Sequence, residues 1–352
     1  MLVTIVVFII MLSLLVLVHE LGHFTTAKLS KIKVEEFGMG FPPRIFGIRR
    51  GETIYSLNAI PFGGFTKMLG EEDPTYPGSL ASKSHATRFM VLAAGSVMNI
   101  LLPIVLFSIS LMIPHDVRIE TVQIQEVAID SPAQHAGISV GDTVLKINDR
   151  QIKSRIDVSY MIQLNLGSTV DMLIQKPDGT QKEITVTPRW KPPQGQGATG
   201  IILAGINTST IRESSPFWEA IPAGAQKCWE VLILFRNEVA GWFIKGTSPQ
   251  LTGPIGIAQL TGEVAKSGIS SLLEFASLIS ISLGVFNLFP FPGLDGGRLV
   301  FVIIEWFRRG KRISPKKEGF IHLAGFVVLL MLIIFVTYFD ILHIIQGESI
   351  LP

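Results

Sequence analysis

The first 24 residues, MLVTIVVFIIMLSLLVLVHELGHF (residues 1–24), decide the class of fold. No charged residue and no histidine occurs before His19. Since a helix needs about 20 mostly apolar residues to cross a bilayer, this stretch predicts a transmembrane helix. It lacks the basic start and the small-residue cleavage site of a secretory signal peptide, so we expect it to remain in the mature protein.

Three further apolar stretches predict spans of the same kind. Residues 89–114 and 275–294 carry no charge, and residues 319–339 contain a single ionisable group, His322. The chain of 352 residues is 48% hydrophobic and 16% charged, against about 25% charged residues in a soluble domain. The composition therefore excludes an ordinary cytosolic enzyme and a disordered tail. Residues 222–244 carry several charges and predict an amphipathic surface helix rather than a fifth span.

Basic residues concentrate in two of the loops between these spans. Residues 25–50 contain six Lys or Arg, and residues 308–318 contain another six. Because Lys and Arg accumulate on the cytoplasmic side, a chain with four spans has both termini outside and these two loops in the cytoplasm. The net charge of +2, without a basic stripe, gives no reason to expect a nucleic-acid partner.

The residues His19-Glu20-Leu21-Gly22-His23 form the pattern H-E-x-x-H at the inner end of the first span. Two histidines four residues apart share one helical face and can reach the same zinc ion, and the glutamate beside them can take a proton from water. Ionisable groups in a membrane are costly and are functional by default. Two unliganded histidines at a membrane boundary are the alternative. With one cysteine, Cys228, a cysteine-based zinc site is excluded.

Zinc needs a third protein ligand, and Asp295 is the strongest candidate. It lies in residues 287–298, NLFPFPGLDGGR, where two prolines and several glycines disfavour regular helix. A broken helix at membrane depth either lines a cavity or is buried in protein, so a carboxylate there is placed for a metal. Two alternatives remain: Asp295 caps a helix over residues 296–307, or a histidine supplies the third ligand. The other histidines are His85, His115, His135, His322 and His343.

Residues 115–192 predict an α+β domain of their own. Residues 122–127 alternate as in a strand, and residues 170–188 predict a hairpin that turns at Asp178-Gly179. A further pattern resembles a PDZ domain, a module that binds an extended peptide at a sheet edge. A spacer without a ligand and a size filter for substrates are the alternatives. The residues of the pattern are Ser131-Pro132-Ala133, Ala136-Gly137, Gly141-Asp142 and Ile147-Asn148.

Two motifs in this order, H-E-x-x-H in the first span and N-x-x-P…L-D-G in a later one, resemble the site-2 protease family of intramembrane zinc metalloproteases. The resemblance covers nearly the whole chain and is closest to the bacterial branch of the regulator of sigma-E protease. That branch has two tandem PDZ domains, whereas this chain has room for one. The residues that carry the resemblance are His19 to Phe24, Asn287, Pro290, Leu294-Asp295-Gly296, Gly253-Pro254-Ile255-Gly256, and residues 37–43 and 61–68.

The resemblance implies a zinc ion (Zn2+) bound by His19, His23 and Asp295, with Glu20 as the general acid and base. It implies regulated intramembrane proteolysis of single-pass membrane proteins, such as anti-sigma factors or remnant signal peptides. It also implies a bacterial inner or plasma membrane, with the active site near the cytoplasmic side. The expected partners are these substrates, a peptide ligand of the PDZ domain, and the lipid bilayer.

Two further implications concern substrate contact. Asn287 would contact the substrate, and Pro290 would help to hold the broken helix in shape. Residues 45–48 and 53–57 flank a turn and predict a β-hairpin. The resemblance implies that this hairpin dips into the membrane near the active site and pairs with the substrate as an added strand. An ordinary cytoplasmic hairpin is the alternative.

The sequence thus predicts a polytopic α-helical membrane protein with about four transmembrane helices, an inserted extracytoplasmic α+β PDZ domain and a cytoplasmic-side β-hairpin loop. Two other functions compete with proteolysis. One is a membrane-tethered PDZ receptor or scaffold without metal, and the other is a transporter that uses the broken helix as its site. The predicted segments are spans at residues 1–24, 89–114, 272–307 and 319–345, cytoplasmic loops at 25–88 and 308–318, the PDZ domain at 115–192, and a linker with an amphipathic helix at 193–271.

Overall fold

Long helices and shorter strands alternate along the chain. The computed structural model describes residues 2–71, 73–246 and 252–346. The helices are α1 (Leu2–Leu29), α2 (His85–Met112), α3 (Pro132–His135), α4 (Arg155–Leu164), α5 (Phe217–Lys245), α6 (Pro254–Lys266), α7 (Ile269–Asn287), α8 (Asp295–Phe307) and α9 (Pro315–Gln346). The strands are β1 (Val34–Arg50), β2 (Thr53–Met68), β3 (His115–Val127), β4 (Thr143–Ile147), β5 (Arg150–Gln151), β6 (Val170–Gln175), β7 (Gln181–Val186) and β8 (Ile201–Glu213).

The chain divides into two compact units. The first unit contains residues 1–110, 217–228 and 251–352, and the second contains residues 111–216 and 229–250. Within the described ranges, four helices of the first unit are long and apolar enough to cross a bilayer, namely α1, α2, α7 and α9. The predicted number of candidate spans is confirmed, and α5 is not among them.

The predicted third span, residues 272–307, consists of two helices with a break between them. α7 ends at Asn287, residues 288–294 form turns, and α8 begins at Asp295. Pro290 and Pro292 lack the N–H that a continuing helix would need, so the backbone cannot extend α7 through this segment. The break therefore places Asp295 on the first turn of a new helix.

β1 and β2 form an antiparallel sheet that is larger than the predicted hairpin. Residues 36–39 of β1 pair with residues 54–57 of β2 and also with residues 64–67 of β2. The strands reach well beyond the predicted residues because β2 folds back along the other side of β1. The arm of this sheet exposes several large apolar side chains, which is typical of a surface that meets lipid or a partner rather than water. They include Phe41, Ile45, Phe46 and Ile48.

Small residues allow α2 and α7 to pack closely. The Ser280 hydroxyl donates a hydrogen bond to the Asn99 carbonyl oxygen at 2.7 Å. A Cβ added at Gly284 would lie 2.9 Å from the Ser96 carbonyl oxygen, so only glycine fits there. Helices in membranes associate through such close backbone contacts.

The buried residues of α9 are Gly325 and Asp340. The Asp340 carboxylate accepts hydrogen bonds from the backbone N–H groups of Gly253, at 3.1 Å, and Gly256, at 2.8 Å. These N–H groups lie at the start of α6, whose own N-cap residue makes no side-chain hydrogen bond. Unsatisfied N–H groups at a helix end are costly in a bilayer, so Asp340 caps α6 from a neighbouring helix.

The second unit is built on an antiparallel sheet with the strand order β7-β6-β4-β3-β8, and β5 pairs with β4. The predicted hairpin is present, because β6 and β7 pair from Val170↔Val186 to Gln175↔Gln181. One predicted boundary is wrong. Residues 201–213 lie in the predicted linker, yet they form β8 and pair with β3 along its length. The sheet therefore extends past residue 192, because β8 pairs with the edge of β3 that β4 leaves free.

Within the second unit, α4 packs against residues 229–245 of α5. The Asn237 side-chain N–H donates to the Gln163 carbonyl oxygen at 2.8 Å. The Glu230 carboxylate accepts from Arg150 at 3.0 Å and from the Tyr160 hydroxyl at 2.9 Å. The predicted amphipathic helix at residues 222–244 is confirmed as a helix, although it is longer at its start.

Candidate metal centre

α1 presents two histidines on a buried face near its C-terminal end. His19 and His23 are only 8% and 6% exposed. Because α1 is continuous from Leu2 to Leu29, a spacing of four residues puts both rings on the same side, one turn apart. Their Nε2 atoms lie 3.2 Å from each other. The helix alone therefore supplies two converging nitrogen ligands.

Asp295 completes a triangle of ligand atoms. Its Oδ2 lies 3.1 Å from the Nε2 atom of His19 and 3.1 Å from that of His23. In a tetrahedral zinc site, with ligand distances of about 2.0–2.1 Å, neighbouring ligand atoms are about 3.3–3.4 Å apart. A zinc ion thus fits with only a small outward movement of the three groups, and its fourth position stays open. Within the described ranges this is the one cluster of three or more His, Cys, Asp or Glu residues whose ligand atoms could hold a metal ion.

Hydrogen bonds from α2 orient the histidine rings. The Nδ1 atom of His23 lies 2.8 Å from the Val91 carbonyl oxygen, which requires a proton on Nδ1 and leaves Nε2 free for a metal. The Asn99 amide lies beside Nδ1 of His19, at 3.5 Å through its nitrogen. The Asn99 Oδ1 is buried without a partner among the described residues. If the amide group is flipped, Oδ1 of Asn99 would accept a hydrogen bond from the Nδ1–H of His19, as the Val91 carbonyl does from His23.

Gly95 of α2 leaves room for the rings. A Cβ added at Gly95 would overlap Nε2 of His23 and would lie 2.7 Å from Nε2 of His19. Real Cβ atoms do not approach other heavy atoms so closely, so a side chain here would push the ligand atoms away. The absence of a side chain at residue 95 is therefore part of the metal site.

We expect Gly95→Ala to weaken zinc binding about 10–100-fold, the usual cost of disturbing groups that support metal ligands. The added methyl group occupies space that the two Nε2 atoms need, and the backbone of α2 cannot retreat without losing its contact with α7. Zinc affinity of the purified protein, measured by competition with a chelating dye, checks this. Ser96→Ala is the control, because the Ser96 hydroxyl is buried without a partner among the described residues. An unchanged affinity in Gly95→Ala would contradict the prediction.

Glu20 lies beside the triangle and is held by β2. The Thr66 hydroxyl lies 2.8 Å from Oε2 of Glu20 and 3.1 Å from the Glu20 carbonyl oxygen. A Cβ at Gly64 would lie 3.2 Å from Cγ of Glu20, so β2 runs very close to α1 here. The strand thus holds the Glu20 carboxylate at the same cavity as the three ligand atoms. It does so through a neutral hydroxyl rather than through a positively charged side chain.

A cavity of about 360 Å³ opens beside the triangle. One wall carries charged groups of the β2 end and α8, where Arg298 donates to Glu71 at 2.7 Å. Lys67 pairs with Glu35 at 2.9 Å, and this hydrogen bond raises the pKa of Lys67 above its usual value, so the lysine stays charged. The described lining residues are His19, Glu20, His23, Phe65, Thr66, Lys67, Met68, Glu71, Leu92, Gly293, Leu294, Asp295 and Arg298. A polar chain can therefore reach the candidate metal position.

The predicted site residues divide into two groups. The structure brings together His19, Glu20, His23 and Asp295, which all line the cavity. Asn287 and Pro290 are not among its described lining residues. The alternative histidine ligands are not among the described lining residues either. His85 pairs with Glu305, His115 contacts the Ile113 carbonyl, His135 pairs with Asp130, His322 accepts from the Gly293 N–H, and His343 lies in the last turn of α9. Asp295 is the first residue of α8, whose N-cap residue is Leu294 and makes no side-chain hydrogen bond, so the alternative that Asp295 caps a helix over residues 296–307 is wrong.

Sequence reasoning does not identify Thr66 or Gly95 as site residues. Each lies in an element far along the chain from H-E-x-x-H, and neither residue type signals a metal site. Residues 61–68 are notable only through the family resemblance, and Gly95 is one small residue among several in an apolar helix. Only the packing of β2 and α2 against α1 reveals their roles.

Several known proteins are similar to this chain over most of its length. The model of peptidase family M50 matches residues 7–332. A Clostridium acetobutylicum protein, named as a candidate zinc metalloprotease, is 36% identical over 340 residues, which cover 96% of this chain and 97% of the relative. The zinc metalloprotease RasP of Oceanobacillus iheyensis is 28% identical over 421 aligned positions, covering 96% of this chain and 98% of the relative. RasP of Geobacillus kaustophilus is also 28% identical, over 427 positions.

Proposed function

The chain belongs to peptidase family M50 and is an intramembrane zinc metalloprotease, and we propose that its zinc ion is held by His19, His23 and Asp295. The observation that carries this assignment is the triangle of ligand atoms, with edges of 3.1–3.2 Å, at the wall of an open cavity. Three protein ligands and an open fourth position are the usual arrangement of a catalytic zinc site.

Glu20 is the proposed general base and acid. When bound, zinc polarises the scissile carbonyl and makes water a nucleophile near neutral pH. The Glu20 carboxylate takes a proton as water attacks the carbonyl carbon, and it then gives that proton to the nitrogen of the leaving amine. Thr66 donates one hydrogen bond to Oε2 of Glu20. This bond fixes the orientation of the carboxylate and leaves Oε1 for the proton.

Asn287 and Pro290 have supporting roles in this proposal. Pro290 lies in the break between α7 and α8, so it shapes the segment that leads to Asp295. Asn287 is the last residue of α7 and lies outside the described lining of the cavity. It would contact the substrate chain next to the cavity rather than at the metal.

The substrates we propose are single-pass membrane proteins of the anti-sigma factor or remnant signal peptide class. A helical substrate must unwind before a protease can reach its backbone. Residues 65–67 of β2 border the cavity and pair with β1 on one side, so an extended substrate can add as a strand beside them. The apolar arm of the same sheet supports a position dipping into the lipid.

The proposed location is a bacterial cell membrane, with both termini outside. The basic residues in residues 25–50 and 308–318 support this orientation, because Lys and Arg accumulate on the cytoplasmic side. The cavity lies beside the end of α1 that leads into the first of these loops, so the active site would face the cytoplasmic half of the bilayer. The PDZ-like second unit would then be extracytoplasmic and would bind a peptide or exclude large substrates.

Zinc content and cleavage together test the proposed function. We expect the purified protein to contain an equimolar amount of zinc and to cut a single-pass membrane substrate in liposomes. A metal chelator should stop cleavage, and added zinc should restore it, because water needs the metal to become a nucleophile. A protein without zinc after gentle purification, and without cleavage, would favour the metal-free PDZ scaffold instead. Metal analysis by mass spectrometry and gel analysis of the substrate supply both measurements.

A further inference from the structure

The fourth candidate span, α9, lies directly against the break that leads to Asp295. Gly325 is a buried residue of α9, and a Cβ added there would overlap the Pro292 carbonyl oxygen. A Cβ added at Gly293 would lie 2.9 Å from the backbone nitrogen of Phe326. The backbones of α9 and of the break are therefore in contact, with no side chain between them. Most of the rest of α9 is exposed, as expected for a helix surrounded by lipid.

His322, one turn before Gly325, binds the break through a hydrogen bond. Its Nδ1 accepts from the Gly293 N–H at 3.1 Å. Gly293 lines the active-site cavity, precedes Asp295 by two residues, and has a φ angle of +98°, which favours glycine. The next N–H along the chain, that of Leu294, is satisfied within the break by the Phe291 carbonyl. The Gly293 N–H thus obtains its acceptor from α9 rather than from the break itself.

Placing an imidazole side chain at residue 322 costs free energy. Accepting through Nδ1 puts the ring proton on Nε2, which is buried and has no hydrogen-bond partner among the described residues. The ring packs beside Phe301 of α8, with centroids 5.2 Å apart. An unpaired polar N–H in an apolar setting costs free energy, and an apolar side chain would fill the same space without that cost. What the histidine adds is the acceptor for the Gly293 N–H.

We propose that His322 is a positioning residue for the metal site: through the Gly293 N–H it holds the break so that Asp295 meets His19 and His23. The hydrogen bond fixes the backbone two residues before the ligand, while Gly325 lets α9 approach closely enough to make it. The fourth span therefore sets the position of the third zinc ligand, although it contributes no ligand itself. This inference rests on the proposed ligand set.

Zinc affinity in two variants of the full-length protein tests the proposal. His322→Leu removes the acceptor and keeps the bulk, and we expect it to weaken zinc binding about tenfold, within the range found for lost outer partners of metal ligands. His322→Asn places its Oδ1 at the same number of bonds from the backbone as Nδ1, so we expect it to restore an affinity within about twofold of wild type. Leu323→Ala, at an exposed neighbour on α9, is the control and should leave affinity unchanged.

The measurements are zinc competition with a chelating dye, thermal unfolding in detergent, and kcat and KM for a membrane substrate. The proposal expects His322→Leu to lower zinc affinity and kcat while KM stays near wild type, with Asn rescuing both. It is overturned if wild type and His322→Leu bind zinc equally, or if Asn binds as weakly as Leu, since packing rather than the acceptor would then matter. A wild-type protein that binds no zinc would instead refute the proposed function itself.

Discussion

Replacing Glu20 by glutamine is expected to abolish peptide cleavage while zinc remains bound. Glutamine has the same shape as glutamate and can still accept the Thr66 hydrogen bond, which measures 2.8 Å in the native protein. It cannot take a proton from the attacking water. General acid and base catalysis contributes about 100- to 10,000-fold, so kcat should fall at least about 100-fold. Turnover of a single-pass substrate by purified protein in liposomes, with zinc content measured on the same sample, checks both parts.

The same substitution at a glutamate outside the site distinguishes loss of the general base from the mere loss of a negative charge. Glu52 lies in the β1–β2 turn region, exposed and paired with Lys28 at 2.8 Å. Exposed ion pairs contribute little, so Glu52→Gln should leave turnover near wild type. Two outcomes would contradict the role of Glu20. Wild-type turnover in Glu20→Gln would show that another group is the base, and loss of zinc from this variant would show that Glu20 is itself a ligand.

The inactive Glu20→Gln protein would also identify the substrate. A protein that binds but does not cut leaves its substrates in the membrane. Comparing membrane fragments of cells that carry the wild-type or the Glu20→Gln chain should reveal proteins that persist only with the variant. We expect them to be single-pass membrane proteins, such as anti-sigma factors or remnant signal peptides, the class that the family resemblance implies.

The proposed metal ligands can be predicted from the sequence because their signals are local. His19 and His23 lie in one continuous helix, where a spacing of four residues determines which face they share. Asp295 follows a run in which Pro290 and Pro292 interrupt the helix, so the break can also be predicted from neighbouring residues. The distance of 3.1 Å between Asp295 Oδ2 and the Nε2 atom of each histidine cannot be predicted from them. It depends on how α8 packs against α1, which the order of the motifs only suggests.

The residues that support the ligands depend on contacts between distant elements. Thr66 reaches Glu20 because β2 folds back along β1, so that β1 pairs with residues 64–67 of β2 as well as with residues 54–57. The predicted hairpin does not include this second pairing. Gly95 matters only because two rings from another helix point at it. β8 is missed for the same reason, since residues 201–213 become a strand by pairing with β3, far earlier in the chain. Periodicity reports what one segment does alone and is silent about its partners.

Asp295→Asn is expected to remove zinc and cleavage together. The substitution keeps the size of the side chain and replaces an anionic ligand atom by a neutral amide oxygen. Zinc in proteins is bound by thiolate, imidazole and carboxylate, so the two histidines would be left as the only strong ligands. Affinity should fall by more than the roughly 10–100-fold cost of losing an outer partner. Metal analysis of the purified variant and dye competition against wild type supply the measurement.

Asp340→Asn is the matched control, because it makes the same chemical change at Asp340, a buried aspartate of the first unit. Asp340 caps α6 through the Gly253 and Gly256 N–H groups, and it has no part in the cavity lining that the structure describes. We expect this variant to unfold more readily yet to keep its zinc. If Asp295→Asn keeps its zinc while Asp340→Asn loses it, the third ligand is wrongly assigned. The comparison is decisive because both changes replace a carboxylate by an amide of the same size, and only one of them removes a corner of the triangle.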